Sequence, residues 1–223
     1  MHLPDNSHPR FTPSLLFFLL SLFTFAASFS PAADAPVEPS GVYKTIDTRL
    51  CDDTVKALRE YQGEKRQAVV DSVIAKPEDF APPVFYFLSS VLFQQGKKDE
   101  AVFWFCAGHL RARIDANICA DKTAAKIIYA FNGKFGLPIN QYTSTNMSVL
   151  TNTMERVLAW EEKTPCHYDR RWINLHGMKA LNGDADPVLS APLDQWEAIR
   201  KRTREEFAAE FHKAMIDFNQ AKH

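Results

Sequence analysis

The segment that most constrains the fold of this chain spans residues 84–114 and reads VFYFLSSVLFQQGKKDEAVFWFCAGHLRARI. Apolar residues recur at helical spacing on both sides of the polar stretch 94–98. Gly96 suits the left-handed backbone that closes a helix, while Asp99 and Glu100 favour the start of another. The pattern therefore predicts two helices joined by a tight turn, and we expect the core to form around them.

The segments on either side of this hairpin also favour helices, because the alternation typical of strands is scarce. Gly133, Gly136 and Pro138 are predicted to end the helix after the hairpin, and Ser190 to cap the last helix. We predict an all-α fold, a single helical domain of about six to seven helices around the central hairpin. The predicted core residues are Phe85, Leu88, Leu92, Ala101, Phe105, Trp196, Phe207 and Phe211.

Residues 1–35 have the pattern of a secretory signal peptide. A charge-free apolar run from Leu15 to about Phe29 follows Arg10, and small residues surround its end. A run of about 15 residues is short for a membrane span of roughly 20. We therefore expect a cleaved signal and linker start at 1–35, then one α-helical domain at 36–223. The expected location is periplasmic or secreted, with no stable membrane insertion after signal cleavage.

The charges of the chain nearly balance, with 26 Lys and Arg residues against 27 Asp and Glu residues. Such a chain has no general attraction for nucleic acid or acidic membranes. The sequence also lacks a phosphate-binding glycine loop, a nucleophile motif and a metal-binding His pair at i, i+4 spacing. We predict no cofactor, no metal site and no nucleic-acid partner.

All four cysteines, Cys51, Cys106, Cys119 and Cys166, lie beyond the leader. An even number in an oxidising compartment indicates disulfide bonds, and the sequence leaves the three pairings open. Zinc is the competing interpretation, but no C-x-x-C spacing occurs. Cys106 lies on an apolar helix and is alternatively a buried thiol. We name all four as candidate disulfide cysteines.

His109, Arg111 and Arg113 are polar residues within the second helix of the hairpin. The two arginines are two positions apart, so on a helix they diverge by about 200°. One is expected to serve a buried carboxylate and the other to face solvent. We interpret the three as a hydrogen-bonded structural set, with a functional Arg/His cluster as the alternative.

The hairpin carries large apolar, small and glycine residues at a characteristic spacing: Phe85, Leu88, Ser89, Leu92, Gly96, Ala101, Phe105 and Gly108. In this spacing it resembles one unit of a tetratricopeptide or Sel1-like repeat, in which Ala101 and Gly108 permit close approach of the helices. The resemblance covers one repeat, without a second copy. It implies protein binding rather than catalysis.

Arg170, Arg171, Trp172 and His176 lie in the most polar and aromatic part of the chain. The first three are consecutive, so on a regular backbone they cannot all face inward. Arginine and tryptophan are frequent in interface hot spots. We predict these four as partner-binding residues. The alternative is structural, with Trp172 anchoring the loop and both arginines paired with local carboxylates.

We therefore expect an exported, non-enzymatic module that binds another protein. Periplasmic immunity or inhibitor proteins and secretion-system adaptors are narrower forms of this prediction. The alternative is a small periplasmic hydrolase that uses His167, Asp169 and His176, although Asp169 can instead cap a short helix. A deep pocket joining those three side chains would favour the hydrolase, and a broad exposed groove the binding module.

Overall fold

The computed structural model describes residues 39–183 and 188–220, and these ranges are helical, without a β-strand. The predicted all-α fold is confirmed, while the predicted signal peptide lies outside the described residues. The α-helices are α1 (Arg49–Glu60), α2 (Gly63–Ala75), α3 (Pro82–Gln94), α4 (Lys98–Ile118), α5 (Lys126–Thr145), α6 (Met147–Lys163), the single turn α7 (Met178–Leu181) and α8 (Trp196–Gln220). Short 3₁₀ helices cover Gly41–Thr45, Pro77–Asp79, Lys122–Ala125, Arg170–His176 and Leu193–Gln195.

The hairpin of α3 and α4 forms as predicted. Gly96 has a φ of +81°, and the amides of Gly96 and Lys97 donate to the carbonyls of Phe93 and Leu92 at 3.1 and 3.0 Å. These two bonds are the Schellman closure of a helix, which needs a left-handed residue at this position. A turn of this kind sends α4 back along α3.

Close packing of α3 and α4 depends on the small side chains between them. A Cβ atom added at Gly108 would lie 3.2 Å from Cβ of Phe85, which is closer than almost all carbon contacts. The Ser89 hydroxyl donates to the carbonyl of Ala101 at 2.7 Å, so the polar group between the helices is satisfied. The predicted role of Ala101 and Gly108 at this contact is confirmed.

Helix α4 is the centre of the fold, and α3, α5, α6 and α8 all pack against it. Most of its residues are buried, as expected for a helix surrounded by other helices. Trp196 differs from the core prediction, because it is only partly buried and its indole N–H donates to the carbonyl of Ala191 at 2.8 Å. The other predicted core residues are buried: Phe85, Leu88, Leu92, Ala101, Phe105, Phe207 and Phe211.

The predicted helix break at Gly133, Gly136 and Pro138 is wrong, because α5 continues through all three residues. A proline inside a helix removes one hydrogen bond and costs about 3 kcal/mol. Packing on the core offsets this cost, since Ile139 is buried and a Cβ atom added at Gly136 would lie 3.3 Å from Cζ of Phe105. The chain breaks earlier, between α4 and α5.

The predicted capping role of Ser190 is also wrong. Ser190 pairs with Cys119 in an isolated antiparallel bridge. The Ala191 amide donates to the carbonyl of Ile118 at 2.8 Å, and the Ala120 amide to that of Leu189 at 3.2 Å. Because these bonds tie the segment to the end of α4, helix α8 starts only at Trp196.

All four cysteines are free thiols, so the predicted disulfides are absent from this structure. Cys106 lies within α4 and Cys119 follows its last residue, which separates them by about 20 Å along the helix axis. A disulfide needs Cα atoms about 6 Å apart. Burial raises the pKa of Cys51 and Cys106 to about 12 and that of Cys119 to about 11. These three thiols therefore stay protonated at neutral pH.

Within the two described ranges, no helix combines the length and the apolar character needed to cross a membrane.

Candidate functional site

A buried carboxylate on α4 anchors the segment that was predicted to bind a partner. Asp115 is fully buried. Its Oδ2 accepts hydrogen bonds from the Tyr168 hydroxyl at 2.9 Å and the Trp172 indole N–H at 2.8 Å, and its Oδ1 accepts from Nε of Arg170 at 2.7 Å. Burial raises the pKa of Tyr168 well above its usual value, and Asp115 raises it further. The phenol therefore remains a donor.

A buried arginine on the same helix fixes the start of that segment. Arg111 is fully buried and donates to the carbonyls of Pro77, Thr164 and Pro165 at 3.3, 3.0 and 3.0 Å. Its guanidinium carbon also lies 4.2 Å from the centroid of the Trp160 ring. The acceptors are carbonyl oxygens. The expectation that one arginine of this helix faces solvent is wrong for Arg111, because its side chain is buried.

A second buried carboxylate joins α6 to α8. Glu161 is fully buried and accepts from Nε of Arg200 at 2.6 Å and from Nη1 of Arg204 at 2.9 Å. Arg200 also donates to the carbonyl of Thr164 at 3.0 Å. The carbonyl of Thr164 therefore accepts hydrogen bonds from arginines of both α4 and α8. These bonds fix the start of the segment that follows α6.

The four predicted binding residues lie close together, and the contacts of three of them are those of the structural alternative, with Trp172 buried and both arginines paired with carboxylates. Trp172 is buried on Asp115, and Arg170 pairs with the same carboxylate with 9% of its side chain exposed. Arg171 pairs with Asp169 at 2.7 Å and remains partly exposed. His176 is exposed and packs edge-to-face on Trp172, with ring centroids 5.6 Å apart.

An open groove lies where the start of α1 meets the segment after α6. Its volume is about 700 Å³, and it extends along residues 47–53 and 167–169. The titratable Asp, Arg and His residues that line it are Asp47, Arg49, Asp53, Asp79, His167 and Asp169. Carboxylates thus outnumber the one arginine, and the groove is acidic. Hereafter we call it the acidic groove.

Two carboxylates of the acidic groove form no salt bridge with a Lys or Arg among the described residues. Asp53 has only the longer-range charge of Arg49 beside it, and Asp79 contacts His167, with Nδ1 and Oδ1 3.0 Å apart. Asp47 is paired with Arg49. Leu50, which is 52% exposed, adds an apolar surface beside them. The groove therefore combines a net negative charge with an exposed aliphatic side chain.

The groove does not assemble the residues of the hydrolase hypothesis. His167 and Asp169 line it, but His176 does not. His167 faces Asp79, and Asp169 caps the 3₁₀ helix by accepting from the Arg171 amide at 3.0 Å, as the sequence predicted. Cys51 also lines the groove, but its thiol is protonated. No group of three or more His, Cys, Asp or Glu side chains in the described ranges is placed to hold a metal ion.

No sequence pattern marked Asp53 and Asp79 as site residues. Asp53 lies at an exposed position within α1, where charged residues are usual. Asp79 lies in a proline-bounded stretch that carries no motif. Only the fold brings residues 53, 79 and 167 together, so no local pattern could have identified the groove.

His109 and Arg113 belong to the packing of α4 against α8, and thus to a structural set, as expected. The His109 ring is buried edge-to-face on Phe207 with centroids 5.4 Å apart, and its Nδ1 has no hydrogen-bond partner in the described part of the chain. Arg113 donates to both oxygens of Glu210 at 2.6 and 3.1 Å, which is the carboxylate contact expected for one arginine of this helix, although Glu210 is only partly buried. Burial lowers the pKa of His109 to about 3 from its usual 6.5, and Arg113 lowers it further.

The free energy of unfolding is expected to fall as the pH drops from 6.5 towards 3, because unfolded His109 binds a proton that the folded protein excludes. One such residue contributes about 1.4 kcal/mol per pH unit within this window. Urea denaturation at several pH values should give a slope shallower by about this amount for His109→Leu than for the wild type. Exposed His212 provides the control, and His212→Leu should keep the wild-type slope. Equal slopes for the wild type and His109→Leu would contradict this assignment.

Comparison with known proteins found no matching family model, no similar curated protein and no similar solved structure. The resemblance of the α3–α4 hairpin to a repeat unit therefore stays a prediction.

Proposed function

We propose that the protein is an exported, non-enzymatic module that binds a basic segment of another protein in the acidic groove. The observation that carries this proposal is the pair Asp53 and Asp79, two carboxylates in one groove that form no salt bridge with a Lys or Arg among the described residues. The leader pattern of residues 1–35 supports export. The repeat-like hairpin supports protein binding.

Charge complementarity identifies the kind of partner segment. A lysine or arginine about 4 Å from an exposed carboxylate gains about 1 kcal/mol in water and about 4 kcal/mol where binding partly excludes solvent. Two such carboxylates favour a segment with at least one basic residue. Leu50 then offers contact to an apolar neighbour of that residue. Charges of this kind contribute more to specificity and association rate than to affinity.

The walls of the groove are held in place before a partner arrives. Trp172 and Tyr168 are fixed by Asp115. The amide of His167 donates to the carbonyl of Glu78 at 2.8 Å, which joins the two sides beside Asp79. A preorganised groove avoids the ordering cost that a flexible loop incurs on binding. Buried residues of the segment after α6 can therefore shape the acidic groove even though they do not contact solvent themselves.

Charge reversal within the groove tests the proposal. For Asp53→Lys/Asp79→Lys we expect partner affinity to fall by on the order of tenfold or more, since each change replaces attraction by repulsion. The control is Glu205→Lys/Glu206→Lys, the same charge change on exposed residues of α8, which should bind as the wild type does. The measurement is the dissociation constant for the partner captured by the mature protein and identified by mass spectrometry, at low and at physiological salt.

Two outcomes would contradict the proposal. One is equal affinity of the wild type and the groove variant for the captured partner. The other is equal loss of affinity in the groove and control variants, which would show a dependence on net charge alone. The identity of the partner separates the narrower forms of the proposal, because a toxin indicates an immunity or inhibitor protein and a secretion component indicates an adaptor.

A further inference from the structure

A second pocket lies at the opposite end of α1 from the acidic groove. Its volume is about 320 Å³, and α1, α2, α3 and α5 all contribute to it. The charged side chains that line it are Arg59, Arg66 and Lys134, and no Asp or Glu lines it. We call it the cationic pocket. It shares no residue with the acidic groove.

Arg66 is oriented by carbonyl oxygens rather than by a carboxylate. Its Nε donates to the carbonyl of Tyr61 at 2.6 Å, and its Nη2 donates to that of Arg59 at 3.3 Å. Within the described residues neither Arg66 nor Arg59 forms a salt bridge. The guanidinium of Arg66 is therefore fixed in direction while its charge remains unneutralised.

Lys134 enters the pocket over an aromatic surface. Its Nζ lies 5.1 Å from the ring centroid of Phe87 and 5.4 Å from that of Phe135, and the two rings pack edge-to-face at 4.8 Å. Aromatic faces attract an ammonium group without neutralising it. In the described part of the chain this lysine, too, has no carboxylate partner. The aromatic rings thus place a third cation at the same pocket.

Neutral donors and apolar groups complete the lining. The Ser90 hydroxyl and the Gln94 side-chain amide both line the pocket, and their Oγ and Nε2 atoms are 3.5 Å apart. Phe87, which is only partly buried, offers apolar surface to a ligand, whereas Leu58 and Phe135 are almost fully covered. Three unneutralised cations and two neutral donors beside aromatic and aliphatic carbon match a ligand with an anionic head and an apolar body.

We propose that the cationic pocket binds a small organic phosphate monoester with an aromatic body. Arginine donates two parallel hydrogen bonds to phosphate oxygens, and lysine adds a point charge. The volume is at the lower end of the range for small-molecule sites, which suits a single ring bearing one phosphate. Because its residues are separate from those of the acidic groove, this site can be tested independently of the proposed function.

Binding of phenyl phosphate to the full mature protein, measured by isothermal titration calorimetry at low salt, tests this proposal. The same titrations with inorganic phosphate and with phenol measure the contributions of the phosphate group and of the aromatic ring separately. We expect phenyl phosphate to bind at least tenfold more tightly than inorganic phosphate, and phenol not to bind. Arg66→Gln/Lys134→Gln should weaken phenyl phosphate binding at least tenfold.

Two further variants complete the experiment. Arg59→Gln/Lys134→Gln replaces exposed side chains only, so it should not disturb folding. If the Arg66 variant does not fold, this variant tests whether the pocket binds phenyl phosphate. Lys98→Gln is the matched control, because that ammonium also lies over two rings, Phe93 and Tyr142, but outside the pocket. The proposal is overturned if phenyl phosphate does not bind the wild type, or if it binds the pocket variants as tightly as Lys98→Gln.

Discussion

Replacing Asp115 with alanine is expected to destabilise the protein by about 3–5 kcal/mol, because it leaves a buried guanidinium without its charge partner. Arg170 is 9% exposed, and one of its Nη atoms already has no partner in the described part of the chain. Tyr168 and Trp172 lose the same acceptor. The segment after α6 should then detach from α4 before the rest of the fold.

Urea denaturation monitored by far-UV circular dichroism and tryptophan fluorescence measures this loss. Asp115→Asn should also destabilise, because its amide directs N–H groups towards donors whichever way it is oriented. Asp217→Ala is the control on an exposed position of α8, with an expected change within about 0.5 kcal/mol. A loss below about 1 kcal/mol for Asp115→Ala would show that the buried network does not hold the segment.

Truncating Phe105 to alanine is expected to cost about 3–5 kcal/mol, the range for a buried aromatic residue whose removal leaves a cavity. Phe105 is fully buried at the centre of α4. It packs edge-to-face on Tyr86 with centroids 5.4 Å apart, and its Cζ lies beside Gly136 of α5. Loss of the ring therefore affects the contacts of α4 with both α3 and α5.

The matched control for Phe105 is Leu137→Ala, because Leu137 lies on α5 one residue after Gly136 but is 56% exposed. Its stability should change by no more than about 0.5 kcal/mol in the same two-state urea experiment. If both truncations cost the same, the core would not be centred on α4, contrary to the structure and to the sequence prediction.

The central hairpin could be predicted because its signals are local. Gly96 closes α3, acidic residues start α4, and Gly108 allows the two helices to approach. The first two signals operate within one or two turns of the residue that carries them. Gly108 acts across the short turn of the hairpin, on Phe85 of α3. The same holds for Asp169, whose capping role depends on a residue two positions away.

The buried charges could not be predicted, because their partners are distant in sequence. Asp115 binds residues more than 50 positions further along the chain, and Glu161 binds arginines of α8. A charged residue in a helical pattern usually marks a solvent-exposed face. The i, i+4 pair Arg111 and Asp115 in a largely apolar helix was a signal of buried charge. It does not identify the residues that these side chains contact. The acidic groove could not be predicted for the same reason, because its residues are distant in sequence.

Photocrosslinking shows whether the acidic groove holds a partner protein. A benzoylphenylalanine at position 50 would place the reactive group in the groove, while the same residue at position 137 would have similar exposure on α5. In living cells we expect one dominant crosslinked partner from position 50, none from position 137, and loss of the adduct when Asp53→Lys/Asp79→Lys is added. Equal crosslinking from both positions, or an adduct at position 50 that survives charge reversal, would contradict the account.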